Sequence, residues 1–327
     1  MRADDAFAGL SAAKTHGCCK GKDKLIKMQE DELQAFPQSA PAPCGEADAQ
    51  SARLPQRRGL TGTHLKIIAI VLMLIDHIGA TVMQTLTMQT QSNALLFATT
   101  LMRYLGRLAF PIFCFLLVEG FLHTRDVKKY ILRLAAFAVL SEIPFDFAIS
   151  GTWLEFTHQN VFFTLTIGVV ALLAIRNFSG RVWLQVLCAG ACVVAAELLH
   201  TDYAGMGVIV ILLFYTLREH RRARFWAVGL WLFLGMALSG VMQFAAVLAA
   251  QPELYSAYPP FVLLINIAIS CTMSGLMEAC GAFSFLLIRR YNGARGAGLP
   301  KYFFYAFYPA HLLLLGLMTQ MVLRFTA

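Results

Sequence analysis

The run LKIIAIVLMLIDHIGATVM, residues 65–83, carries ionisable side chains only at Lys66, Asp76 and His77. As a helix rising 1.5 Å per residue it extends about 28 Å, close to the roughly 30 Å of hydrocarbon in a bilayer. Aliphatic side chains cover every face rather than one stripe, so the run reads as a membrane-crossing helix that carries an acid and an imidazole inside. Eight similar runs follow, at about 104–122, 130–149, 160–175, 182–199, 204–217, 225–247, 261–288 and 302–323. The predicted fold is therefore all-α, a polytopic transmembrane helical bundle of about nine spans. The bounds are eight to ten, because 204–217 is short and the stretches 225–250 and 261–288 are long enough to tilt or break.

Composition agrees with this. Of 327 residues, 58% are hydrophobic and 14% charged, against about 45–50% and 25% in soluble domains. That excludes an ordinary soluble enzyme, a disordered chain, a coiled coil and a disulfide scaffold. The net charge of +8 lies in short clusters between apolar runs rather than along one face, which argues against a nucleic-acid partner and for a topology signal. Arg53, Arg57, Arg58 and Lys66 form the first cluster, and Arg125, Lys128, Lys129 and Arg133 the second. Arg176 and Arg181, then Arg218, Arg221, Arg222 and Arg224, then Arg289, Arg290, Arg295 and Lys301 complete the set. All fall on one side if the N-terminus is cytoplasmic, with Arg103, Arg107 and Arg324 on the other. The expected location is the inner, cytoplasmic membrane, with lipid as the surrounding partner and the C-terminus outside. Residues 1–64 lack any long apolar run and should form a disordered cytoplasmic tail, leaving 65–327 as the transmembrane domain. Cys188 and Cys192 share a helical face but have no His nearby, so they read as small buried residues.

An ionisable group at mid-bilayer costs about 2.5–3.5 kcal/mol on insertion scales, so each must find a partner or an aqueous cavity. Adjacent Asp76 and His77 point about 100° apart on a helix, so they cannot both face one partner directly; one should face a cavity while the other braces it. Imidazole is the side chain best placed to act as a base near neutral pH. Arg103 and Arg107 stand one turn apart before Pro111, and Arg107 can grip a carboxylate or phosphate bidentately. Glu119 and His123 share a face at the far end of that span beside Arg125, a contact point for a cytosolic donor or simply a solvated helix end. Glu142 and Asp146 flank Pro144, which should kink or break the third span and leave both acids bordering a cavity. Asn160 opens the fourth span near Asp146, and His311 places a second imidazole in the last. Glu197, His200 and Asp202 allow a metal site on spacing alone, though no metal is expected. Glu278 has no evident partner in sequence. The chain contains no P-loop, no G-x-S-x-G and no H-E-x-x-H, so any chemistry is intramembrane.

Several motifs in series resemble the TraX family. They are Leu65-Lys66 with Met73, Asp76 and His77, then Gly106-Arg107-Leu108-Ala109-Phe110-Pro111 with Phe113, Glu119 and Gly120, then Arg133, Ser141-Glu142-Ile143-Pro144-Phe145, Asn160 and Phe163-Thr164. The ending is Tyr291-Asn292-Gly293, Arg295-Gly296, Lys301-Tyr302-Phe303-Phe304-Tyr305 and Tyr308-Pro309-Ala310-His311. One departure is Asp202-Tyr203-Ala204-Gly205, where the family reads Asp-Tyr-Gly, which puts a tight turn in question. The resemblance implies the activity of a conjugation-system pilin acetylase: acetyl transfer from acetyl-CoA to a membrane-inserted protein or envelope acceptor. In that reading His77, braced by Asp76, deprotonates the acceptor, with Glu142 as the third catalytic group. Arg107, Asn160, Asp146 and His311 bind substrate, and Glu119, His123 and Arg125 meet the donor. A proton-coupled transporter and a scaffold for pilus or secretion assembly are the competing classes; transport would use Asp76 and Glu142 as relay groups.

Overall fold

The computed structural model describes residues 59–251, 253, 258–298, 300 and 302–326. Most of the expected tail, residues 1–58, lies outside them. Thr61 caps the first helix: its hydroxyl accepts the His64 N–H at 3.3 Å while His64 Nδ1 accepts the Thr61 N–H at 3.2 Å, a reciprocal box that sets the start at Gly62. The helices are α1 (Gly62–Ile78), α2 (Gln84–Thr90), α3 (Asn93–Gly106), α4 (Ala109–His123), α5 (Val127–Ile149) and α6 (Val161–Asn177). They continue with α7 (Val182–Leu198), α8 (Ala204–Thr216), α9 (Arg221–Ala250), α10 (Pro260–Ala279), α11 (Phe285–Ile288) and α12 (Phe303–Thr326). A π turn, Gly79–Met83, joins α1 to α2, and a 3₁₀ turn, Cys280–Ser284, joins α10 to α11.

Each run expected to span the membrane coincides with a helical stretch. Among the described residues, five stretches are long and apolar enough to cross on their own: Gly62–Thr90, Asn93–His123, Arg221–Ala250, Pro260–Ile288 and Phe303–Phe325. The first two are longer than the sequence suggests. The apolar runs leave 84–103 between spans, yet these residues form α2, a left-handed turn at Gln91 and most of α3. Pro144 does not break its span either, since α5 runs unbroken from Val127 to Ile149. Asp126 caps α5 by accepting the Lys129 N–H at 3.0 Å, and that bond holds its carboxyl below the ordinary carboxylate range.

Rows of large apolar side chains face outward. Val182, Trp183, Val186 and Leu187 do so on α7, and Trp226, Leu230, Leu234 and Leu238 on α9. Such faces suit lipid and not water, and the chain is a multi-pass membrane protein. Its centre is α4, where Phe110, Ile112, Cys114, Phe115, Leu117, Val118 and Phe121 are all buried against α1, α6 and α8. At one end the segment before α1 lies along the loop after α11: Leu60 N–H donates to Arg290 O at 2.8 Å, Asn292 N–H to Leu60 O at 2.9 Å and Gly62 N–H to Ala294 O at 2.8 Å. Gly296, at φ +83°, is needed there, because a Cβ would stand 2.3 Å from the Thr61 hydroxyl. The start of α1 and the basic 289–295 segment thus share one end of the bundle, as the charge pattern requires.

Candidate active site

The π turn positions the first functional pair. Its widened backbone starts just after His77, whose carbonyl accepts the Thr81 hydroxyl at 2.6 Å; π turns recur at functional sites. Asp76 and His77 leave α1 in different directions. Asp76 turns toward α3 and accepts Arg103 Nη1 at 2.8 Å and Arg107 Nη2 at 2.9 and 2.8 Å on its two oxygens. This close approach needs Gly106, where a Cβ would lie 2.2 Å from Asp76. Arg107 Nη1 donates to Glu278 Oε2 at 3.1 Å and to the Tyr203 hydroxyl at 3.2 Å. Tyr203 in turn stacks on Phe110, with ring centroids 3.7 Å apart. Glu278 is 1% exposed and Arg107 8%, so two guanidiniums and two carboxylates neutralise one another in a water-poor setting.

His77 turns toward α12. Its Nδ1 lies 2.7 Å from His311 Nε2, and His311 Nδ1 lies 2.8 Å from the Phe307 carbonyl. Donor and acceptor logic orders this chain. A carbonyl only accepts, so with both rings neutral His311 carries its proton on Nδ1 and accepts on Nε2. His77 then donates from Nδ1, which leaves a lone pair on its Nε2. Tyr308 presents its ring to both imidazoles, at 6.0 and 5.6 Å. His77, Asp76, Arg103, Arg107, Tyr203 and Tyr308 all line one cavity of about 370 Å³, which His158 and Asp202 complete.

The sequence-predicted residues divide clearly. His77, Asp76, Arg107 and His311 come together, but Asp76 pairs with arginines and the group that orients His77 is His311. Glu142, Asp146 and Asn160 form a separate arrangement that does not line the cavity. Asn160 Nδ2 donates to Glu142 and, at 2.8 Å, to Ala138 O, and Asp146 accepts the Glu155 N–H at 2.8 Å. These bonds tie the 150–160 loop and the start of α6 to α5, so the three residues position the wall that carries Phe145 and His158. At the opposite end of α4, Glu119 lines a second cavity, whereas His123 and Arg125 are exposed on the surface. Glu197 accepts the Gly205 N–H at 3.1 Å, and no group of three or more His, Cys, Asp or Glu among the described residues is placed to hold a metal. Glu278 and Tyr203 were missed as site residues. The signal for Glu278 was present, a carboxylate inside an apolar helix, but its partner lies 171 positions away.

The departure at Ala204 acquires a physical meaning. His200, Tyr203 and Ala204 adopt φ of +49°, +62° and +41°, the left-handed region that glycine occupies without steric cost. Ala204 thus holds a backbone conformation that a glycine would adopt more easily.

A family model described as TraX protein matches residues 61–319. The chain belongs to the TraX family. This TraX chain is also 32% identical over 266 residues to a protein of Dichelobacter nodosus described as "Probable fimbrial assembly protein FimC, serogroup H1", covering 77% of the chain and 92% of that relative. No solved structure matches it. The matched region begins at the capping Thr61 and takes in both members of the His77–His311 pair.

Proposed function

We propose that this TraX protein is a membrane acetyltransferase that moves an acetyl group from acetyl-CoA to the amine or hydroxyl of a membrane-inserted protein or envelope acceptor. The observation that carries the reading is the Phe307 carbonyl–His311–His77 chain at the wall of a polar intramembrane cavity. It has the logic of an oriented general base: one imidazole takes the proton and a second group fixes its tautomer. As the acceptor nitrogen or oxygen bonds to the acetyl carbon, its proton passes to His77 Nε2. The thioester C–S bond breaks, and His77 returns that proton to the departing thiolate. Arg103, half-open to the cavity beside Asp76, supplies positive charge for the oxyanion that develops at the carbonyl. Tyr203 and Tyr308 bound the space in which the acceptor sits. The fimbrial role printed for the Dichelobacter relative, together with the pilin acetylase that the resemblance implies, supports a pilin-like acceptor.

The test uses membranes holding wild-type protein, His77→Ala or His311→Ala at matched abundance. They are incubated with radiolabelled acetyl-CoA and host membrane extract, with label followed into protein, lipid and glycan. Label in one fraction that both variants lose is the expected result and names the acceptor class. Absence of His77-dependent label in every fraction, with folded variants, overturns acetyl transfer and moves proton-coupled transport or assembly scaffolding to the front.

A further inference from the structure

The second cavity, about 580 Å³, lies at the other end of α4 from the histidine pair, and its charged lining is Arg218, Arg221, Arg222, Arg224, Arg289 and Glu119. Five guanidiniums against one carboxylate is an imbalance that folding alone does not favour, because like charges packed together repel. Arg218 has a partner, Glu219 at 3.2 Å. Among the described residues Arg221, Arg222, Arg224 and Arg289 have no carboxylate within 4.0 Å. Arg224 is the most telling. It is only 9% exposed, and its buried Nε has no hydrogen-bond partner. Its guanidinium lies 5.6–5.9 Å from the centroids of Phe115, Phe214 and Phe285, held by rings on three helices rather than by an anion of the protein. The first turn of α9, with no acidic residue to neutralise it, adds unpaired backbone N–H groups and the positive end of a thirty-residue helix. Phe225 and Trp226 supply ring surface at the same mouth.

We propose that this arginine cavity binds a polyphosphate anion carrying a planar ring, and that in the acetyl-transfer reading, on which this last step rests, the ligand is the phosphorylated head of CoA. A diphosphate with an added phosphomonoester carries about four negative charges, enough to neutralise the four arginines that lack a carboxylate partner, and rings with interleaved arginines accept a nucleobase. A phospholipid headgroup offers the same phosphate chemistry with a single charge and would leave most of that positive charge unbalanced. Placement agrees with the donor. Phe115 lines this cavity and Phe113 the histidine cavity, two residues apart and therefore on opposed faces of α4. A ligand with its head in one and its thioester in the other needs an extended arm, which the pantetheine of CoA provides. The donor contacts expected at His123 and Arg125 are replaced by these five arginines, and Glu119 alone is shared.

Calorimetric titration of the purified full chain in nanodiscs tests this, using CoA, dephospho-CoA and pyrophosphate as probes. Neutral phosphatidylcholine discs are compared with discs containing phosphatidylglycerol, and the variants are Arg224→Gln and, at exposed positions that spare the fold, Arg221→Gln/Arg222→Gln. The expected result is CoA binding that weakens with salt, falls at least tenfold in both variants, and falls less when the added phosphomonoester is absent. CoA affinity unchanged in the exposed double variant overturns the cavity assignment while leaving acetyl transfer intact. Arginine-dependent pyrophosphate binding without CoA binding or acetyl label keeps the polyphosphate site and overturns its link to acetyl transfer. Loss of CoA binding in phosphatidylglycerol discs alone assigns the cavity to lipid and overturns the soluble donor, as does failure of every phosphorylated probe to bind.

Discussion

Replacing Arg107 with Met should be among the costliest single changes to the bundle, and removing Glu278 with it should repair much of the damage. Arg107 spends Nη2 on both oxygens of Asp76 and Nη1 on Glu278 and Tyr203. Without it Asp76 retains Arg103, but Glu278, 1% exposed, is left as an uncompensated buried charge. Breaking a buried pair from one side costs about 3–5 kcal/mol, whereas exchanging both partners for neutral groups of similar size is often close to neutral. Arg107→Met should therefore lower the unfolding midpoint in detergent by roughly 10 °C, taking about 2–4 °C per kcal/mol. Arg107→Met/Glu278→Gln, in which two opposite charges leave together, should recover at least half of that. The thermodynamic cycle through Glu278→Gln isolates the coupling, expected at about 1–3 kcal/mol. A shift under about 2 °C for Arg107→Met, or strictly additive effects in the double variant, refutes the view that charge balance holds this site together.

Other outcomes follow from the same geometry. In the acetyl-labelling assay His77→Ala and His311→Ala should each abolish most transfer, and the double variant should be no worse than His77→Ala alone, since two residues acting as a unit are non-additive; multiplicative losses would dissolve the pair. Gly106→Ala, whose new Cβ would overlap Asp76, should destabilise by about 1–3 kcal/mol and lower transfer along with the midpoint, and a variant with wild-type melting would show that α1 and α3 do not pack this closely. Ala204→Gly relieves a left-handed alanine and should stabilise the fold by about 1 kcal/mol, raising the midpoint; a lowered midpoint in a thermal melt would mean that the turn is not strained.

Apolar runs are local properties, so the existence of the helical stretches was legible from residue order, and the basic 289–295 segment does lie beside the start of α1. So was the list of chemically expensive side chains. Asp76, His77, Arg107, Glu278 and His311 announce themselves because lipid tolerates an ionisable group only with a partner. The overlong first two helices were not legible, because Gln84 and Gln89 lie outside any apolar run whereas the tertiary structure carries them as helix beyond the π turn, as far as the left-handed Gln91. Nor was the assignment of Glu142, where two acids around a proline suggested a cavity and the fold uses them to anchor a loop.

What residue order could not supply is who faces whom. Neighbours in sequence separate by about 100° on a helix, so Asp76 and His77 were bound to diverge, yet nothing local says that one meets Arg107 and the other His311, 234 positions away. The same holds for the arginine cavity, assembled from the far end of α4, the start of α9 and the segment after α10. Sequence determined that this is a membrane-embedded helical protein with charged groups in its spans, because hydrophobicity is additive along a chain. Only the tertiary structure decided that those groups form a neutral Asp–Arg–Glu cluster beside an oriented histidine pair, because partner choice in a bundle is set by how whole helices pack.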